Sequence, residues 1–483
     1  MVLQRDQENP VWGQANPGSN VSVTFGGNTL QTKADEDGKW MLKLKPMKGS
    51  SHALNLTIKS EDDSITFSNI VIGEVWVCSG QSNMQWSVNQ VFDSDLESMS
   101  ANYPNIRIIS VPQVCTQENQ DDFNGQWDIC TPDTVGQFSA VGYLFGRQLH
   151  QTLGVPIGLI DNAWGGSSAE AWVARDVLEA DERFEAVIAE WEKTEATFDF
   201  DKAMAAWKEK AAAAKEAGKP APRAPRNVLA GQHRPGNLWA GVLNPIIGYG
   251  IRGTIWYQGE SNAGRAYQYD DLFGLMITEW RKAWGQGDFP FYWVQLADFR
   301  DEVSEPGDSD WAELREAQSN TLALPNTGQA VIYDVGEGRD IHPRDKLTVA
   351  RRLARIALAR DYGISVPYLS PSFREMTIKG NEAVLTFKDV GSTLYTFDVR
   401  EARGFAVAGA DKKWHFATGT LMGKDQIIVT SDSVANPVAV RYAWANNPAA
   451  NLMSREGLPV IPFRTDEWPQ ITDPAAKIEA AVE

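Results

Sequence analysis

The 483-residue chain has only three cysteines and five histidines. Cys78, Cys115 and Cys130 fit no metal spacing, and no two histidines form a ligand pair. A catalytic zinc is therefore not expected, and nothing in the pattern calls for another metal or a cofactor. No Gly-rich phosphate loop is visible. No apolar stretch approaches the roughly 18 residues that a bilayer span needs. Basic residues are outnumbered, with a formal net charge of -18. That excludes general nucleic-acid binding and fits high solubility. Cys78 reads as a small hydrophobe packed under the turn that follows it. Cys115 and Cys130 flank a polar loop and suit a disulfide in an oxidising compartment or two free thiols equally well.

The length is too great for one ordinary domain, so two or three are expected. Residues 1–70 alternate in short runs such as Val21–Phe25 and Ala53–Ile58, separated by Gly26-Gly27 and Asp37-Gly38. This is the pattern of a small β-sandwich. Residues 71–363 mix strand-like runs with helical periods at Val141–Leu149 and Lys346–Leu358, which predicts an α/β domain. Within it, residues 176–226 form an Ala/Glu/Lys-rich insertion that ends in Gly218-Lys-Pro-Ala-Pro-Arg-Ala-Pro225. A solvated helical excursion and a Pro-rich linker are expected there, as surface decoration or as a rim over a cleft. Residues 364–470 turn strand-rich again and predict a second β-sandwich that braces the catalytic part. The Ala/Glu-rich tail, 471–483, is expected to fray. Eighteen tryptophans are many. Most should be core, with some free to stack on sugar rings.

Four segments carry the chemistry. Val75-Trp-Val-Cys78 is an apolar run that stops at Ser79-Gly80, followed by Gln81-Ser82-Asn83-Met84. A serine just past a strand end lies where open α/β sheets place their ligand sites. Its hydroxyl needs a base, and the base needs an orienting acid. Among the histidines, His342 stands out. It follows the apolar run Ala330–Val335, has Asp340 two residues before it, and is stiffened by Pro343. Leu159–Ser168 is an apolar run ending in the pair Gly165-Gly166, where backbone N–H groups can approach an oxyanion. Thr254–Asn262 is a third strand-like run with a polar tip. Together these segments offer a nucleophile, backbone donors, a side-chain amide and a base.

The motifs Gly80-Gln-Ser-Asn-Met84, Trp164-Gly-Gly166, Trp256-Tyr-Gln-Gly-Glu-Ser-Asn262 and Asp340-Ile-His-Pro343 resemble the sialate O-acetylesterase-like branch of the SGNH hydrolases. So do Glu456–Asp466 and the opening Met1–Arg5, and the resemblance covers nearly the whole chain. It implies an SGNH-like three-layer α/β domain with a parallel sheet, flanked by the two β-sandwich regions. It implies a serine esterase that removes O-acetyl groups from carbohydrates. Ser82 matches the nucleophile, His342 the base and Asp340 the acid. The oxyanion donors would be the Ser82 N–H, the Gly166 (or Gly165) N–H, and a side-chain amide. That amide is Gln258 first and Asn262 second, because the usual glycine-then-asparagine order is absent here. Glu260 is the alternative acid or a loop anchor. Gln81 and Asn83 flank the nucleophile, and His233 and Arg234 are candidate substrate contacts.

The expected partner is an acetylated carbohydrate, with no nucleic acid and no membrane span; the pattern implies no particular oligomeric state. Met1-Val-Leu-Gln-Arg5 reads as the interior of a first strand, so an upstream export signal and a periplasmic or secreted location are expected. Two other classes share these features: a non-catalytic carbohydrate-binding protein, and a serine hydrolase of other acyl substrates such as a peptidase or lipase. The lack of a long apolar lid speaks against lipase.

Overall fold

The computed structural model describes residues 1–61 and 63–475. Its spine is the strand Ser64–Gly80, whose first half is exposed and whose second half, from Ile70 on, is buried. The exposed half pairs antiparallel with Ser50–Lys59 in the N-terminal part. The buried half enters a central sheet, where the near-continuous apolar run suits a strand covered on both faces. One strand thus runs unbroken from the N-terminal layer into the central one.

The central sheet has the order Thr327–Ala330, Phe291–Val294, Gly253–Tyr257, Ser64–Gly80, Ile157–Asp161, Tyr103–Ser110, Asp128–Cys130. All pairings are parallel except the last. The chain moves out to one side of Ser64–Gly80 first and returns to build the other side later. The strand order therefore switches at that strand, and its carboxyl end is the expected ligand crevice. Register places Asp161 opposite Cys78 and Tyr257 opposite Gly80, so three tips end together.

Alternation along the strand sends successive side chains to opposite faces. Val75 and Val77 join a core with Trp172, Trp256, Trp280 and helix Ala266–Trp284. Trp76 and Cys78 join the other core, under helices Ala140–Leu153 and Lys346–Arg360. Trp256 meets both Trp172 and Trp280 edge to face at 5.7 Å, a favourable arrangement for large buried rings. Many of the tryptophans are thus core, as expected. Helix Ala140–Leu153 begins where the Ser139 hydroxyl accepts the Gly142 N–H at 3.1 Å and stops at Gly154 in the left-handed region.

Several sequence expectations change. The strand expected at 330–335 is Thr327–Ala330, and the residues after it leave the sheet. The C-terminal part is not two facing sheets. It is one seven-stranded antiparallel sheet from Ser372–Lys379 to Phe463–Arg464, with a separate pair Leu394–Thr396 and Leu452–Ser454. Its strands share a continuous ladder around one core of Phe405, Tyr442 and Phe463. Val331 and Tyr333, which lead toward the His342 loop, are packed into that core, and the hydroxyls of Tyr333 and Tyr442 lie 3.1 Å apart. This is the bracing contact expected of the region. The start of the tail is docked: the Ile471 N–H donates to Glu313 at 2.7 Å and the Thr472 hydroxyl to the same carboxylate at 2.7 Å. Residues 476–483, where fraying was expected, lie outside the described residues.

The insertion is helical, with Glu185–Thr197 and Phe200–Glu216, and no residue of the second helix is buried. Cys78, Cys115 and Cys130 are all free thiols. No helix among the described residues is long and apolar enough to cross a membrane.

Candidate active site

Ser82 opens a four-residue helix directly after the central strand ends at Gly80. Gly80 has φ +132°, and a Cβ there would sit 2.2 Å from the Tyr257 carbonyl. Only glycine lets the strand turn so close to its neighbour. The turn sets the serine hydroxyl against the loop after Thr327–Ala330. His342 Nε2 lies 2.9 Å from Ser82 Oγ, within proton-transfer reach of a nucleophile–base pair. On the other side of the ring, Nδ1 lies 3.3 Å from Asp340 Oδ1. The same carboxylate oxygen accepts the His342 backbone N–H at 3.0 Å, so it braces both chain and ring. Trp86 stacks on the imidazole at 4.9 Å and 12°. Burial lowers the His342 pKa below its ordinary value; Asp340 opposes that effect and the Lys346 charge adds to it. The imidazole is thus kept neutral and able to accept a proton.

The glycine pair stands beside Ser82, since a Cβ on Gly165 would lie 3.5 Å from that of the serine. The Gly165 N–H is taken, donating to Gln85 Oε1 at 2.7 Å. Gly166 has φ +72°, and neither its N–H nor that of Ser82 has an acceptor among the described residues. These two donors are free.

The third motif is placed differently from expectation. Gln258 is fully buried. Its amide donates to the Ser167 carbonyl at 3.1 Å and to Asn262 Oδ1 at 2.7 Å, while its oxygen accepts from Tyr269 at 2.8 Å. No donor remains for an oxyanion. Asn262 is committed too, donating to Glu170 at 2.9 Å and accepting the Ala169 N–H at 3.0 Å. The strand tip at 258–262 is thus bonded to the segment 167–170 that follows the glycine pair. Glu260 does not contact the imidazole; it accepts from Asn83 Nδ2 at 2.6 Å, and burial raises its pKa. Gln81 is buried and accepts the Gly259 N–H at 3.3 Å and the Ser261 N–H at 3.4 Å. Asn83 also donates to the Ile341 carbonyl at 2.9 Å. His233 pairs through Nδ1 with Ser168 Oγ at 2.7 Å. Arg234 is engaged by Glu195 of the insertion at 2.9 Å.

A cleft of about 700 Å³ opens beside Ser82 and His342. It is lined by Gln85, Gln90, Gln113, Gln137, Trp86 and Asp161, among others. The sequence reading did not single these out, although Gln85 and Trp86 follow the nucleophile motif directly and Asp161 ends an apolar strand. Amides and carboxyls offer both donors and acceptors, as sugar hydroxyls require. Burial raises the Asp161 pKa to about 7.

With this geometry in place, comparison with known proteins defines the class. Residues 72–206 and 242–354 match the family model described as carbohydrate esterase, sialic acid-specific acetylesterase. The chain belongs to that family and is a carbohydrate O-acetylesterase by class. It is 31% identical to the sialate O-acetylesterase of Mus musculus, over 93% of this chain and 88% of that one. It is 29% identical to the enzyme of that name from Homo sapiens, over 97% and 92%. A crystal structure of a carbohydrate acetylesterase from Xanthomonas citri superposes with a TM-score of 0.82 at 37% identity, covering 97% of each chain.

Proposed function

We propose that this protein is an SGNH-type serine esterase that removes O-acetyl groups from carbohydrates, sialate or polysaccharide, through Ser82, His342, Asp340 and an acyl-enzyme. The observation that carries this reading is the 2.9 Å approach of Ser82 Oγ to His342 Nε2 at the switch point of the sheet. Neutral His342 takes the hydroxyl proton as Ser82 Oγ attacks the acetyl carbonyl. Asp340 stabilises the imidazolium that forms. The developing oxyanion is met by the free N–H groups of Ser82 and Gly166, and each such donor is typically worth about 3–4 kcal/mol. The imidazolium then protonates the departing sugar oxygen, and the acetyl group stays on Ser82. Water, deprotonated by the same imidazole, attacks the acyl-enzyme; acetate leaves and the proton returns to Ser82.

The amide-lined cleft supports a polyhydroxylated leaving group. It offers no long apolar wall for a fatty acyl chain, which favours this reading over a lipase. The test is acetate release from p-nitrophenyl acetate and from a panel of acetylated glycans by wild type and Ser82→Ala. Loss of both activities in a folded variant is expected. Full activity in that variant removes Ser82 from the mechanism. Glycan binding with no acetate release by the wild type would favour a binding protein.

A further inference from the structure

Lys346 is 0 % exposed, although it opens helix Lys346–Arg360. Both placements are unfavourable on local grounds. Burial strips the ammonium of water, and the start of a helix repels positive charge. Side chains that break local rules in this way tend to mark functional positions.

The contacts show what the lysine holds. Its Nζ donates to Asn83 Oδ1 at 2.6 Å. The Asn83 amide nitrogen then donates in two directions, to Glu260 Oε1 at 2.6 Å and to the Ile341 carbonyl at 2.9 Å. Asn83 is the residue after the nucleophile, and Ile341 is the residue before the base. The Nζ also lies 5.7 Å from the Trp86 ring centre and 5.1 Å from that of Tyr257, within cation–π range. Trp86 is the ring stacked on His342. The lysine, four residues after the base, thus reaches Asn83 and Trp86 beside the nucleophile, and Asn83 carries the link on to the Ile341 carbonyl. A cation on one side of Asn83 and a carboxylate on the other fix which way its amide points.

We propose that Lys346 is a positioning residue for acyl transfer, locking the nucleophile turn to the base loop through Asn83 and seating Trp86 against the imidazole. This rests on Ser82 and His342 acting as described above. Burial lowers the Lys346 pKa to about 7, and the carboxylates of Glu260, Asp340, Glu337 and Asp345 oppose that effect, so the ammonium is charged across the acid limb of the pH profile. Its positive charge also disfavours the imidazolium of His342.

Three variants test this with p-nitrophenyl acetate, alongside Ser82→Ala and thermal melts of each. Lys346→Met removes both donor and charge. It is expected to lower kcat by about 10- to 100-fold, the usual cost of small misplacement in a catalytic pair, with KM nearly unchanged. Lys346→Gln keeps an N–H donor without the charge and is expected to recover part of that loss. In both, the acid limb of kcat/KM moves to higher pH, because a cation that held the imidazole neutral is gone. Asn83→Ala breaks the same bridge from its other member while leaving the charge. It should lower kcat without that upward move, so the outcome does not hang on a lysine variant folding. Unchanged kcat and an unmoved acid limb in any folded lysine variant, with Ser82→Ala inactive, overturns the role of Lys346 alone. Turnover surviving in Ser82→Ala overturns the underlying site and this role with it.

Discussion

Replacing Asp340 by asparagine separates the acid from its alternative. The carboxylate oxygen is 3.3 Å from His342 Nδ1, and its side chain is 38% exposed. At that distance the attraction between a full negative charge and the imidazolium is about 1.3 kcal/mol in bulk water and about 5 kcal/mol at the effective dielectric of a protein surface. A carboxylate more than a third exposed sits between these limits, so about 2–3 kcal/mol is a reasonable expectation. Since each 1.36 kcal/mol is a factor of ten in rate, kcat/KM should fall roughly 30- to 150-fold. The pH profile gives a second, independent reading. Asp340 raises the His342 pKa. Its removal should therefore shift the acid limb to lower pH while the plateau drops. Glu260→Gln leaves the imidazole contact intact and should produce neither the full loss nor that downward shift. The assay is initial rates on p-nitrophenyl acetate across the pH range, with melting curves to show that each variant is folded. A larger loss in Glu260→Gln than in Asp340→Asn, with both folded, would refute the assignment.

Three further outcomes are expected. The acid limb of wild-type kcat/KM should have its midpoint below the ordinary histidine value, because burial lowers the His342 pKa and the neutral form is the active one; a pH–rate profile with a midpoint above that value contradicts it. Gln258→Leu should cost about 1–3 kcal/mol of stability by stranding the Ser167 carbonyl and the Tyr269 hydroxyl, read by denaturant unfolding; a catalytic defect with stability unchanged would return this amide to the oxyanion hole. Asp161 has its folded pKa raised to about 7, so its neutral form favours the fold. That contribution is fully present below the ordinary aspartate range and lost as pH rises through about 7. Melting temperature should therefore fall over that window in wild type and fall less in Asp161→Asn, and identical pH dependences would contradict the burial argument.

Much of this site is legible before any coordinates, and the reason is geometric. Ser82, Gly166 and His342 lie just past apolar runs, and a parallel sheet gathers such tips at one edge. The helical periods at 141–149 and 346–358, read from apolar spacing alone, fall within helices Ala140–Leu153 and Lys346–Arg360. What the sequence hides is where side chains point once the edge is assembled. Gln258 has the right chemistry for an oxyanion donor. Only the fold shows its amide turned into Ser167 and Asn262. Lys346 stands at the start of the helical period 346–358, and nothing local marks a lysine that tertiary packing will bury. Asp161 carries no flag in a run whose burial depends on neighbouring strands. Runs at 376–379, 383–387, 426–430 and 438–442 are visible as strands, but Ala402–Ala408 and Trp414–Met422 are not, and the joining into one ladder depends on pairings between distant residues such as Phe405 and Tyr442. Arg234, a plausible substrate contact by position, is claimed by Glu195 from a helix whose docking no local pattern encodes.

The covalent step is the centre of the account, and one measurement addresses it directly. The enzyme is mixed with p-nitrophenyl acetate, quenched in acid during turnover, digested and weighed by mass spectrometry. A single acetyl group on the peptide that carries Ser82, absent from Ser82→Ala treated in the same way, is the expected result. Steady acetate release with that peptide unmodified at every quench time, while the label settles on a different residue, would contradict it.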